Sequence, residues 1–168
     1  MRLPLINAIV SQMNLNCYIV GYRGYGPSTG SPSEVGLKID GLAIMDYLFN
    51  ELKEVIDTTK IFIMGRSLGG AVAINSQADG KYPIKGMILE NTFLSIDDLV
   101  YTLFPSVKFL KNYILKNHWP SKDLISKIKV PLFFIIAEKD ELIPPMHMMK
   151  LKELASTGGV ELKRSSVS

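Results

Sequence analysis

Four short apolar runs constrain this chain more than any other feature: residues 17–20 (CYIV), 61–64 (IFIM), Gly86–Glu90 (GMILE) and 132–136 (LFFII). Each is continuous rather than alternating, as expected of parallel strands covered on both faces. The longer segments between them carry helical periodicity. That order predicts βαβ crossovers and therefore an α/β fold built on a doubly wound, mostly parallel sheet. Val160 and Leu162 can begin one more strand, for about four to five in all.

The helices can be placed from their start and stop signals. In SPSE, Ser31 suits an N-cap, Pro32 the first helical position, and Glu34 completes a capping box. Behind it Leu37, Leu42, Met45, Tyr47, Leu48 and Leu52 form an apolar stripe. A second helix should run from Leu68 to about Ala78 and stop at Gly80. A third should start near Ser121, after Trp119-Pro120, and a fourth after Pro144-Pro145 as MHMMKLKELA.

The 168 residues give room for one core, so a single domain is expected over 1–168, with a cap segment at about 91–130 and a polar tail at about 157–168. A content of 47% hydrophobic and 21% charged residues describes a globular chain. The net charge of +3 comes from scattered lysines with acidic residues between them, which argues against a nucleic-acid partner. Cys17 is the single cysteine, which excludes a disulfide framework and a cysteine-based zinc site; its apolar surroundings suggest a small core residue. No metal site is expected. No run of about 18 apolar residues occurs and the first residues do not read as a secretory signal, so the chain reads as soluble as written.

Chemistry concentrates in KIFIMGRSLGGAVAI. Here an apolar run, Gly65-Arg66-Ser67-Leu68-Gly69 and a small-residue helix predict strand, tight turn and helix, with Ser67 on a strained elbow. A serine placed there reads as a nucleophile, the alternative being a chance match in a flexible loop, and the Leu68 N–H at the helix start would face a developing oxyanion.

Four segments, GYRGYGPSTGSPSEVGL, GRSLGGAVAI, ENTFLSI and AEKDELIPPMHM, together resemble the alpha/beta-hydrolase superfamily, within it the group of alpha/beta-hydrolase-domain-containing protein 13. The resemblance extends to about residue 155. It implies a serine hydrolase that cleaves an ester, thioester or amide through an acyl-enzyme on Ser67, without a cofactor. Asp140 matches the acid that orients the catalytic histidine; Glu138 and Glu141 flank it as alternatives. Arg23, in YRGYGPS, either meets a substrate anion or supports its own loop. Phe93, Leu94, Leu99, Tyr101, Leu103, Phe104, Phe109, Tyr113 and Trp119 give the cap an apolar character suited to an acyl substrate, or pack it onto the sheet.

Two departures from the family pattern shape the expectation. Only His118 and His147 are present, and both precede the place of the family's catalytic histidine; His147 is the weaker alternative as base. The family also carries a strand and a histidine-glycine loop ahead of the segment matching RLPLINAIVSQMN, and that loop supplies a second oxyanion N–H. The resemblance therefore implies an incomplete hydrolase, short at both ends: a partial gene model, a variant transcript or a decayed copy, and on these residues alone a catalytically silent fragment. Members of this group are often anchored in a membrane by an upstream segment, which implies membrane association of the full-length protein.

Overall fold

The computed structural model describes residues 3–104 and 116–165. The chain forms two compact units, Met1–Pro32 and Ser33–Ser168. In the first, helix α1 (Leu3–Met13) leads into irregular chain. A pair of tight turns then closes with Tyr25 N–H donating to Tyr22 C=O at 3.0 Å and Ser28 N–H to Tyr25 C=O at 3.1 Å. Gly24 adopts φ +74, and a Cβ there would lie 2.6 Å from Pro32 Cδ, so only glycine fits this turn. Residues 17–20 form no strand, contrary to expectation, and Cys17 is exposed rather than buried. An apolar run becomes a strand only when a neighbour takes up its N–H and C=O groups, and the sheet contains none of these residues.

The second unit holds a four-stranded parallel sheet in the order β1-β2-β3-β4. Its strands are β1 (Phe62–Arg66), β2 (Gly86–Glu90), β3 (Leu132–Ala137) and β4 (Val160–Arg164). The register runs Arg66↔Glu90, Glu90↔Ile135 and Ala137↔Arg164, so the carboxyl ends of all four strands share one edge. Three expected apolar runs are strands, and Val160 with Leu162 begins the fourth, inside the stretch read as a polar tail. Met87, Leu89, Phe134 and Ile136 on the two central strands are buried, each contributing about 1.5–3 kcal/mol of burial.

Among the described residues of this unit, helices α2 (Glu34–Asp46), α3 (Leu68–Gln77), α4 (Ile96–Leu103), α5 (Ser121–Leu124) and α6 (Met146–Leu154) accompany the sheet. Helix α3 packs on β1 and α2 packs on α3. The second contact is close: a Cβ on Gly41 would lie 2.3 Å from Ser76 Oγ and 2.8 Å from Val72 Cγ1. Helix α3 ends as expected, with Gly80 at φ +67 donating its N–H to Gln77 C=O at 3.0 Å.

The start of α2 differs from expectation. Ser33, not Ser31, is the N-cap, its Oγ accepting from Gly36 N–H at 3.1 Å. Glu34 turns away from the cap to accept from the backbone N–H groups of His118 and of Trp119, the latter at 3.1 Å. Lys38 Nζ meets its other oxygen at 2.5 Å. Two amide donors and an ammonium outbid the single N–H of a capping box. Leu37 and Met45 of the stripe are buried with Gly41 between them, whereas Leu42, one position on and about 100° around the helix, and Tyr47, where a π-turn (Tyr47–Glu51) begins, face solvent. Among the described residues, no helix is long and apolar enough to cross a membrane.

Candidate active site

Ser67 lies between the end of β1 and the start of α3 with φ 53 and ψ −124, a conformation that costs an L-residue about 1–3 kcal/mol. Three contacts hold it there. Ser67 N–H donates to Glu90 C=O at 3.0 Å, and Ser67 C=O accepts from Gly70 N–H at 2.9 Å. The same carbonyl accepts from Thr92 Oγ1 at 2.8 Å. The turn closes tightly because its glycines lack side chains. A Cβ on Gly65 would lie 2.5 Å from Gly69 C=O oxygen, and one on Gly70 2.6 Å from Thr92 Cβ.

Ser67 is half-buried, and among the described residues its hydroxyl bonds no other group. Leu68, the first residue of α3, has no intrahelical acceptor for its N–H, which points out of the helix start with the positive end of the dipole. Asp140 follows β3 by three residues, and its Oδ1 accepts from Leu142 N–H at 3.0 Å and Ile143 N–H at 2.9 Å. Those two bonds fix the carboxyl group on its loop. Because the strands are parallel, Ser67 and Asp140 lie at the same edge of the sheet. One strand, β2, separates the ends of β1 and β3, which sets those ends about 10 Å apart. Glu138 and Glu141 are exposed on either side of Asp140.

Neither histidine joins them. His118 Nδ1 bonds Asp97 Oδ2 at 2.8 Å near the start of α4. His147, in the first turn of α6, is fully buried and its Nδ1 accepts from Leu94 N–H at 3.4 Å. That bond puts the proton on Nε2, which has no partner among the described residues. Burial pushes the His147 imidazole below its ordinary range, with the charge of Asp98 opposing the shift. Arg23 belongs to the turn of the first unit.

The cap residues divide by burial. Phe93, Leu94 and Trp119 are buried, Leu103 and Phe104 are exposed, and Leu99 and Tyr101 are intermediate. Phe109 and Tyr113 lie outside the described residues. A surface depression lined by Met149, Lys152, Glu153, Gly158 and Glu161 shares no residue with Ser67, Leu68 or Asp140. Among the described residues, no cluster of three or more His, Cys, Asp or Glu side chains can hold a metal ion.

Residues that sequence reasoning left without a role also meet here. Glu90 is buried and its carboxylate pairs with Arg164 across β3. Arg164 C=O in turn accepts from Glu138 N–H at 2.7 Å, two residues before Asp140. Asn91, with φ 43, donates its N–H to Ile135 C=O at 3.1 Å and accepts at Oδ1 from Ala137 N–H at 2.8 Å. The signal was the ENTF segment, whose polar residues directly follow a buried strand.

Comparison with known proteins agrees with this architecture. The chain is 45% identical over 151 residues to Protein bem46 of Schizosaccharomyces pombe, covering 89% of this chain and 50% of that protein. It is 35% identical over 161 residues to Alpha/beta hydrolase domain-containing protein WAV2 of Arabidopsis thaliana, covering 89% and 52%. An alpha-beta hydrolase from Vibrio vulnificus has the same fold, with a TM-score of 0.66 at 23% identity over 85% of this chain and 53% of that one. The chain thus spans about half the length of the curated relatives it matches. The profile of the family described as Serine aminopeptidase, S33, matches residues 6–129, a stretch that includes the Ser67 turn and stops before Asp140. The chain belongs to that family, on an incomplete alpha/beta-hydrolase fold.

Proposed function

We propose that this chain carries the nucleophile and the acid of a serine hydrolase that cleaves an ester, thioester or amide. Ser67 Oγ attacks the substrate carbonyl carbon. The Leu68 N–H, at the positive end of α3, stabilises the oxyanion. Asp140 orients a histidine that takes the Ser67 proton and returns it to the leaving group; water then releases the acyl group. The observation that carries this reading is the backbone of Ser67, held at φ 53 between a strand and a helix, with its hydroxyl unbonded among the described residues. A strained serine with a bare helix N-terminus beside it has no structural use that a glycine would not serve better. The mechanism needs no cofactor, and the apolar cap suits an acyl substrate. Arg23 supports its own loop. We place the chain as one partial hydrolase domain, and the full-length protein at a membrane, as the name of a yeast relative, Uncharacterized membrane protein YNL320W, suggests for that protein.

A second reading has its own observation. Both histidines are engaged elsewhere, His118 by Asp97 and His147 by Leu94. On that ground these 168 residues alone are silent, and the base comes from outside them. One experiment separates the readings: a fluorophosphonate is applied to the 168-residue chain and to a version extended by its flanking coding sequence, each with a Ser67→Ala control. Ser67-dependent labelling of the extended version alone is the expected result. Labelling of neither version would sink the hydrolase reading. Labelling of the short chain that His147→Ala abolishes would make His147 the base.

A further inference from the structure

The Ser67 carbonyl and the Leu68 N–H belong to one peptide unit, which is planar and trans, so whatever fixes the direction of the carbonyl also fixes that of the N–H opposite it. Two donors fix the carbonyl: Gly70 N–H from inside α3, and Thr92 Oγ1 from the loop after β2. We infer that Thr92 is a positioning residue that aims the Leu68 N–H, a role that rests on reading Ser67 as the nucleophile.

Thr92 is suited to this by its own fixation. It is 0% exposed, and its N–H donates to Met148 Sδ at 3.1 Å. Its side chain fills the notch of Gly70, where an added Cβ would meet Thr92 Cβ, Oγ1 and Cγ2 at 2.6, 2.7 and 3.0 Å. A residue so confined holds its hydroxyl in one rotamer. The backbone leading to it is anchored from three sides. Glu90 C=O takes the Ser67 N–H, Asn91 is bonded at both its N–H and Oδ1 to β3, and the Glu90 carboxylate holds Arg164. Asn91 and Arg164 are also the residues whose bonds reach the strand and loop that carry Asp140. Glu90-Asn91-Thr92 therefore ties the Ser67 turn and the Asp140 loop to one short segment.

The two halves of the threonine side chain make the inference testable. Thr92→Val keeps the shape and removes the hydroxyl; Thr92→Ser keeps the hydroxyl and removes the methyl. Amide hydrogen exchange, followed residue by residue by NMR in the 168-residue chain, reads the turn without requiring activity. In Thr92→Val the N–H groups of Ser67 and Gly70 should exchange roughly three- to tenfold faster, the effect of losing one hydrogen bond, while those of β3 stay unchanged. Thr92→Ser should exchange as the parent does. Faster exchange in Thr92→Ser than in Thr92→Val would show that the methyl packing matters and would overturn the inference. Parental rates in both variants, or equal acceleration in both, would overturn it too. If Thr92→Val does not fold, Thr92→Ala set against Thr92→Ser isolates the hydroxyl on a small frame: faster exchange in the alanine variant supports the role and equal rates refute it. Absence of fluorophosphonate labelling would refute the hydrolase reading and leave these exchange rates as they are, so the two failures are distinguishable.

Discussion

Gly65→Ala isolates the closeness of the Ser67 turn from the torsional freedom of its glycines. Gly65 is not among the residues with positive φ, so alanine meets no torsional objection there. Its Cβ would instead lie 2.5 Å from Gly69 O, 2.7 Å from Gly69 C and 2.7 Å from Gly70 Cα. All three are backbone atoms of the first turn of α3, and no side-chain rotation can make room. The helix start must move away from β1 by up to an ångström or so, since ordinary carbon contacts begin near about 3.5 Å. That shift stretches the bond from Ser67 N–H to Glu90 C=O and the bond from Thr92 Oγ1 to Ser67 C=O. Overpacking costs about 1–3 kcal/mol and each lost hydrogen bond about 1 kcal/mol, for a sum of about 4 kcal/mol. At about 3 °C per kcal/mol for a chain of this size, the melting temperature should drop by about 12 °C. Gly80→Ala is the control. It sits at φ +67 with nothing within 4 Å of an added Cβ, so it meets only the left-handed penalty of about 1 kcal/mol and should lose about 3 °C. Differential scanning fluorimetry of the two variants beside the parent decides the matter. Equal losses, or a larger loss for Gly80→Ala, would refute the claim that the turn is closed by contact.

Ser67→Gly should abolish acylation yet raise stability by about 1 kcal/mol in urea unfolding, because glycine relieves φ 53 at a modest cost in unfolded-chain entropy. Glu34→Ala should destabilise the chain by about 1–2 kcal/mol, since it removes the charged acceptor of the exposed His118 N–H and the part-buried Trp119 N–H. Glu34→Gln, which keeps an acceptor, should cost clearly less in the same unfolding assay. The buried His147 imidazole is held below its ordinary value of 6.5, so as pH falls through 6.5 the unfolded chain takes up a proton that the folded chain refuses. Stability should therefore decline below that pH, by at most about 1.4 kcal/mol per pH unit, until the folded-state value is reached; His147→Gln should remove this component from urea midpoints measured between pH 7.5 and about 5.

What the sequence by itself determined is local in its physics. IFIM, GMILE and LFFII became strands because an apolar run flanked by helical periodicity has one stable solution in a parallel sheet. The Ser67 turn was legible because glycines, a serine and a small-residue helix leave the backbone few alternatives. The limits of α3, with its Gly80 stop, and the start of α6 after Pro144-Pro145 follow from termini that choose their own residues. Tertiary structure decided whatever needed a distant partner. Residues 17–20 look as apolar as the other runs, yet a strand requires a ladder, and the sheet offers them none. Glu34 could have capped its own helix; the two amides near Trp119, some 85 residues away, claimed its carboxylate instead. His147 carries no mark of its bond to Leu94 N–H, and Thr92 none of its bond to the Ser67 carbonyl, because both contacts exist only once β2 has brought its following loop between the nucleophile turn and α6. Sequence fixes which groups can donate and accept; the packing of the sheet and its helices fixes which of them meet.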